Sequence, residues 1–274
     1  YQAAYSNTTG QLNVAVGSNA LDANVTGTAN TAVGYNALSA NTGDGSTAIG
    51  KDALELNTSG INTAVGSNAL ATVTSGTGNV GIGNDVLTVN TASNNTAVGY
   101  QSLLNNTTGT ANVAVGKNAL DLNTTGSTNT AIGGDSLGAN TTGGGNTALG
   151  QAALENNTTA SFNTGVGRNA LILNTTGGNN TAVGYQAGFS NTTGAINIAI
   201  GYNALYTNST GYQNTAIGGS AGYSNTTGIF NASLGQASLY SNTTGSQNTA
   251  LGIYALNSNT TASNNTAVGY QAGY

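Results

Sequence analysis

The sequence predicts an all-β chain, a parallel β-solenoid of about 17 residues per coil. Three observations carry that expectation. The first is a period: NTAVGYQAG stands at Asn180–Gly188 and recurs at Asn265–Gly273, an offset of 85 residues, or five times 17. Anchored on the glycine of the A-V-G triplet, the period runs through Gly17, Gly34, Gly50, Gly66, Gly83, Gly99 and onward to Gly269, with three steps of 16 ending at Gly50, Gly66 and Gly99. A fixed period of that length is the mark of stacked supersecondary units. The second observation is that glycine returns too often for a helix to propagate, and one repeat is too short for two helices. The third is the near-absence of hairpin signals: Asn-Gly never occurs and Asp-Gly occurs only at Asp44-Gly45.

The elements of one coil follow in order. N-T-A-V-G opens it as a short strand, because Thr and Val alternate with small Asn and Ala. The residue before the anchor is aliphatic in every coil, from Val16 to Val268, and the one before that is Ala except at Gly81, Gly165 and Ser233. Thr stands three before the anchor in Thr31, Thr63, Thr130, Thr181 and Thr249, but Val14, Val80, Val113 and Ile198 share the slot. That mixture suggests an inward or half-buried strand position rather than an ice-matching lattice. The A-L pair after the anchor reads as a second short strand, its Leu replaced only by Gly188, Gly222 and Gly273. One Val or Ile and one Leu per coil are then the expected core. The N-T-T-G segment and its variants close the coil as a turn.

Two asparagine positions repeat with the same strictness. One lies four before the anchor, with Ser46 its sole exception, and the other seven after it, with Val73 its sole exception. The second set, including Asn106, Asn123, Asn140, Asn174, Asn191, Asn225 and Asn242, forms an expected structural ladder of stacked amides, as in cross-β assemblies. So thin an apolar core implies that such ladders contribute heavily, or that several chains share a core. Thirteen of these asparagines begin an N-x-S/T triplet. The turn-ladder reading is preferred to a glycosylation array, since sugars on coils about 5 Å apart would crowd.

Charge and composition exclude several classes. Charged residues make up 4% of the chain and the net charge is −5, so binding nucleic acid by phosphate neutralisation is not expected. No apolar run approaches the roughly 18 residues that span a bilayer. There is no His and no Cys, which removes the usual transition-metal ligands and nucleophiles, and eight scattered acids cannot supply a regular calcium repeat. No catalytic, cofactor-binding or metal-binding residues are therefore expected, and no enzyme. Lys51, Lys117 and Arg168 all directly follow an anchor, while Asp52, Asp85, Asp135 and then Asp22, Glu55, Asp121, Glu155 fill two nearby slots. Such slots should face water. Tyr35, Tyr100, Tyr185, Tyr202 and Tyr270 share the basic slot, which predicts a tyrosine stripe on the surface or in an interface.

Sixteen coils and a remnant read as one domain over 1–274. The chain starts and stops at the same phase, at Tyr1-Gln2-Ala3-Ala4-Tyr5 and Tyr270-Gln271-Ala272-Gly273-Tyr274, without the atypical end repeats that solenoids use as caps. It therefore reads as a window of a longer fibre.

The A-V-G or A-I-G triplet followed by x-x-A-L, in tandem, resembles the head repeats of trimeric autotransporter adhesins. It resembles still more the N-T-A-V-G-Y-Q-A-L repeats of phage and bacterial tail-fibre proteins. Adhesin head repeats are shorter, so the coil here carries a longer turn. The resemblance implies an extracellular, cell-surface or virion fibre, without catalytic residues. Its expected partners are copies of itself, trimeric or otherwise laterally associated, and a cell-surface or glycan receptor reached through a separate tip. The expected role is a rigid spacer; the alternative is a solenoid surface that itself binds ice or glycan.

A chain held on both sides in every coil should resist proteolysis, which needs locally unfolded backbone. Trypsin is expected to leave the native protein intact despite Lys51, Lys117 and Arg168, as followed by gel electrophoresis over hours. Rapid cutting at all three under native conditions would contradict a solenoid.

Overall fold

The structure, a computed structural model, describes residues 2–273 and falls into two compact units that meet in sequence at Asp135 and Ser136. The first holds eight three-residue strands, from β1 (Val14–Val16) to β8 (Thr130–Ile132). The second holds eight more, from β9 (Thr147–Leu149) to β16 (Thr266–Val268). Within each unit every strand pairs in parallel with the next one in the chain and in the register of the repeat: Ala15 opposite Ala32, Gly165 opposite Ala182, Ala199 opposite Ala216. No helix occurs among the described residues. This is a β-solenoid with one repeat per coil.

Each coil has one strand, not two. The A-L pair is part of a turn in which the residue two after the anchor and the Leu four after it are both left-handed, as in Asn203 (φ 53°) and Leu205 (φ 49°). Asn and Asp tolerate that region, whereas for Leu it costs on the order of 1–2 kcal/mol. Two gains offset the cost. The turn drives the Leu side chain into the interior, where Leu21, Leu38 and Leu54 are wholly buried. Its backbone stays in the inter-coil ladder, with Leu205 N–H donating to the Ala221 carbonyl at 3.0 Å.

The strand faces the opposite way from the expected core. Ala182 points in and is buried, whereas Val183 on one side of it is exposed and Thr181 on the other is half-buried. The aliphatic residue before each anchor is thus an outer residue, and so is the Thr three before it. The reason is space: the interior between strand and Leu turn also holds two Asn side chains per coil. Even a Cβ placed on Gly165 would stand 3.3 Å from Leu154. A methyl fits there and a Val does not.

The anchor glycine is obligatory on two counts. Gly184 has φ +138°, and a Cβ there would lie 2.6 Å from the carbonyl oxygen of Gly201 in the next coil. No L side chain satisfies both.

Two interlocked amide ladders fill the rest of the interior. Asn174 Nδ2 donates to Asn157 Oδ1 in the preceding coil and to the Gly177 carbonyl of its own turn, both at 2.9 Å. From the other ladder Asn163 Nδ2 reaches the same Gly177 oxygen at 2.9 Å. Asn163 Oδ1 in turn accepts the backbone N–H of Asn180 at 2.9 Å. Both lone pairs of the turn carbonyl are therefore occupied by buried amides, one from each ladder. Val73, fully buried, interrupts one ladder, and the loss is partly made good by the other: Asn57 Oδ1 accepts instead from Asn62 Nδ2 at 3.1 Å.

Asn191 donates to Asn174 Oδ1 and the Gly194 carbonyl and accepts from Asn208 Nδ2, at 2.8, 2.8 and 2.9 Å. Asn191→Leu strands the Asn174 oxygen and one Asn208 N–H inside the protein. At about 1–3 kcal/mol for each stranded group, the expected loss is about 2–6 kcal/mol, measured by urea denaturation. A loss below about 0.5 kcal/mol would show that the ladder does not hold the coils together.

Candidate functional site

The seven ladder asparagines marked in the sequence are all buried. Asn106 and Asn123 belong to the first unit, where Asn106 donates to Asn90 at 2.7 Å and Asn123 to Asn106 at 2.8 Å. In the second unit Asn157 donates to Asn140 at 2.9 Å, and the chain of amides continues through Asn174, Asn191, Asn208, Asn225 and Asn242 to Asn259. Every amide nitrogen in that run also serves its own turn carbonyl. A sugar on any of the buried ones, Asn106 to Asn242, would have to replace an NH₂ that makes two hydrogen bonds, so those N-x-S/T triplets are closed in the folded state. The Thr following the Asn adds a third tie: Thr158, Thr175 and Thr192 each donate through Oγ1 to the backbone oxygen one coil on, at 3.0–3.1 Å.

The surfaces left for interaction lie outside these ladders. On the strand side the outer residues form two adjacent columns, one mainly Thr and one aliphatic. In the second unit the aliphatic column runs Leu149, Val166, Val183, Ile200, Ile217, Leu234, Leu251 and Val268, nearly all of it exposed. The Thr column beside it breaks at Ile198 and Ala232.

On the turn side the five tyrosines marked in the sequence are all exposed, Tyr35, Tyr100 and Tyr270 among them. Only Tyr185 and Tyr202 stack on each other, with ring centroids 5.7 Å apart, so the stripe is not continuous. A longer aromatic column lies five after the anchor, where the sequence shows an enrichment in Tyr206, Tyr223 and Tyr240 in the later coils. Phe189, Tyr206, Tyr223 and Tyr240 stack in succession at 4.9, 5.1 and 5.0 Å, each pair contributing about 0.5–1.5 kcal/mol. Its signal was their recurrence at the coil period, five after the anchor. Burial in the stack pushes the Tyr223 phenol above its ordinary value, with Tyr240, Tyr206 and Tyr202 adding to the rise.

In the first unit the slot two after the anchor carries acids in three coils, and they do not simply face water. Asp52, Asp85 and Asp135 are half-buried and accept from Asn36, Asn68 and Asn118 of the preceding coil at 3.1, 2.8 and 3.1 Å. The amide column is the reason: a neighbouring Asn supplies the donor that water would otherwise provide. Lys51, Lys117 and Arg168 are exposed, and Lys51 lies 3.1 Å from Asp52. Among the described residues no three His, Cys, Asp or Glu groups gather closely enough to hold a metal ion.

Burial raises the carboxyl of Asp121 above its model-compound value of 3.8; backbone N–H groups of Leu122 and Asp121 oppose the rise and Asp135 adds to it. A folded-state pKa above the unfolded one means that the contribution of Asp121 is fully present below pH 3.8 and lost as pH rises through the elevated value. Asp121→Asn is therefore expected to stabilise the protein more at pH 7 than at about pH 3.5, read as the shift in urea midpoint at each pH. An equal or reversed difference would refute the assignment. The chain matches no known family model, and no curated protein or solved structure is significantly similar to it.

Proposed function

We propose that this chain is the structural repeat region of an extracellular or virion fibre, a tail fibre, adhesin shaft or self-associating filament, acting as a rigid spacer. One observation supports it above the others: the two buried asparagine ladders, the interior polar groups that vary least along the chain, tie one coil to the next. Side chains that converge on a turn carbonyl from two ladders are committed to structure, and they oppose local opening of single coils. Its partners are copies of itself. The exposed aliphatic column, Val183 to Leu251 in the second unit, is an apolar stripe that lateral association would cover.

A second reading, a surface that binds ice or glycan directly, is favoured by the outward direction of the Thr column. The breaks at Val80, Val113, Ile198 and Ala232 weigh against a continuous lattice match.

A spacer tolerates changes of length in whole coils. Removing two complete coils, residues 180–213, from the intact fibre is expected to leave a folded, shorter fibre that still attaches to its target. Removing half a coil is expected to abolish folding. Loss of attachment with every in-register deletion, with folding intact by circular dichroism, would show that the repeats themselves bind. Thermal hysteresis in the purified chain would place the activity on the Thr column.

A further inference from the structure

The second unit carries a notch in its turn surface. The slot directly after the anchor holds Tyr185, Tyr202, Gly219 and Gln236 in successive coils. Tyr185 covers one face of the Tyr202 ring, but nothing covers the other, because the next coil has Gly219 where a side chain would stand. No atom lies within 4 Å of a Cβ built on Gly219, and Tyr202 is 59% exposed. The adjoining slot is also reduced, to Ser220 and Ala237, where most other coils carry Asn, Asp or Gln. The result is a groove of about 460 Å³ between Tyr202 and Gln236, walled by Tyr240 and Tyr254, within the size range of small-molecule sites.

Its dimensions and chemistry select a ligand class. Two coils separate Tyr202 from Gln236, about 9.6 Å at strand spacing, and one flat ring in contact on both faces needs roughly 7–8 Å. The floor and walls are aromatic and methyl. The rim is polar and neutral: the Ser220 hydroxyl and Gln236 amide make no hydrogen bond among the described residues, and Asn257, whose Nδ2 donates to the Ala237 carbonyl at 3.0 Å, keeps its Oδ1 free to accept. No charged residue occurs in the sequence after Arg168, so nothing nearby attracts an anion or a cation. A neutral ring with an apolar face and a hydroxyl edge fits all of this.

We propose that the Gly219 notch is a binding site for a neutral hexopyranose, its ring stacked on Tyr202 and its hydroxyls met by Ser220, Gln236 and Asn257. The site goes beyond the spacer role and does not depend on it. Binding is tested on the whole chain by isothermal titration with cellobiose, lactose and N,N′-diacetylchitobiose, each to about 10 mM, a range that detects millimolar affinity. Saturable binding of at least one is expected. Gly219→Tyr fills the notch with a residue that five other coils already carry in this slot; it should abolish binding while thermal unfolding stays unchanged. Tyr202→Ala, at an exposed position, should weaken binding roughly tenfold or more. No saturable binding of any of the three sugars, undiminished binding by Gly219→Tyr, or tighter binding of adenosine than of every sugar would each overturn the proposal.

Discussion

The carbonyl oxygen of the turn glycine is the point on which the rest of the structure depends. It has two lone pairs, and in a coil such as the one closed by Gly177 both are taken by buried amides, Asn174 from one ladder and Asn163 from the other. A buried carbonyl left unpaired would cost about 1–3 kcal/mol, and here it recurs every coil. Satisfying it from two directions locks the turn to the strand and each coil to the next. The approach is close: a Cβ on Gly177 would collide with the Gly194 carbonyl and stand 2.8 Å from Asn174 Oδ1, yet Ala92 and Ala160 take the same place in other coils and their carbonyls accept the same pair of amides.

The rest of the interior is arranged around the space these amides occupy. Two Asn side chains per coil leave room for the methyls of two Ala and one Leu, as with Ala148, Ala153 and Leu154. The larger aliphatic residue of the strand is displaced to the outside. The Leu must then reach the interior from a turn, and it does so in a left-handed conformation that leucine ordinarily avoids. A polar, thin core of this kind is stable only as a repeat, because each amide finds its partner in the next coil. It also explains the near-constancy of the interior positions along the chain against the freedom of the outer ones.

That freedom is where the two units differ. At the slot five after the anchor the first carries Asp22, Glu55 and Asp121, and the second carries Glu155 and then, from coil to coil, Phe189, Tyr206, Tyr223 and Tyr240. The same backbone thus displays half-buried carboxylates in one stretch and a stacked aromatic column in the other. Chemistry that differs along the chain lives on these outer columns, and a missing side chain, as at Gly219, becomes a feature because its neighbours are regular.

The fold was legible in the sequence because a strict 17-residue period with an invariant glycine has few physical solutions, and parallel stacking in that register is the one that reuses every contact. The Asn ladder was legible for the same reason: a polar residue kept in one slot coil after coil must meet its own copy. Which face of a three-residue strand turns inward was not legible, since T-A-V alternates equally well either way and Val is the more apolar choice. Only the closed coil, in which the amides take the volume that Val183 would need and leave a place for Ala182, decided it. The Leu turn and the Tyr202 notch have the same origin: the first depends on where the chain must bend to close, and the second on which side chains close approach sets beside an absent one. Both are properties of neighbouring coils, and no single repeat contains them.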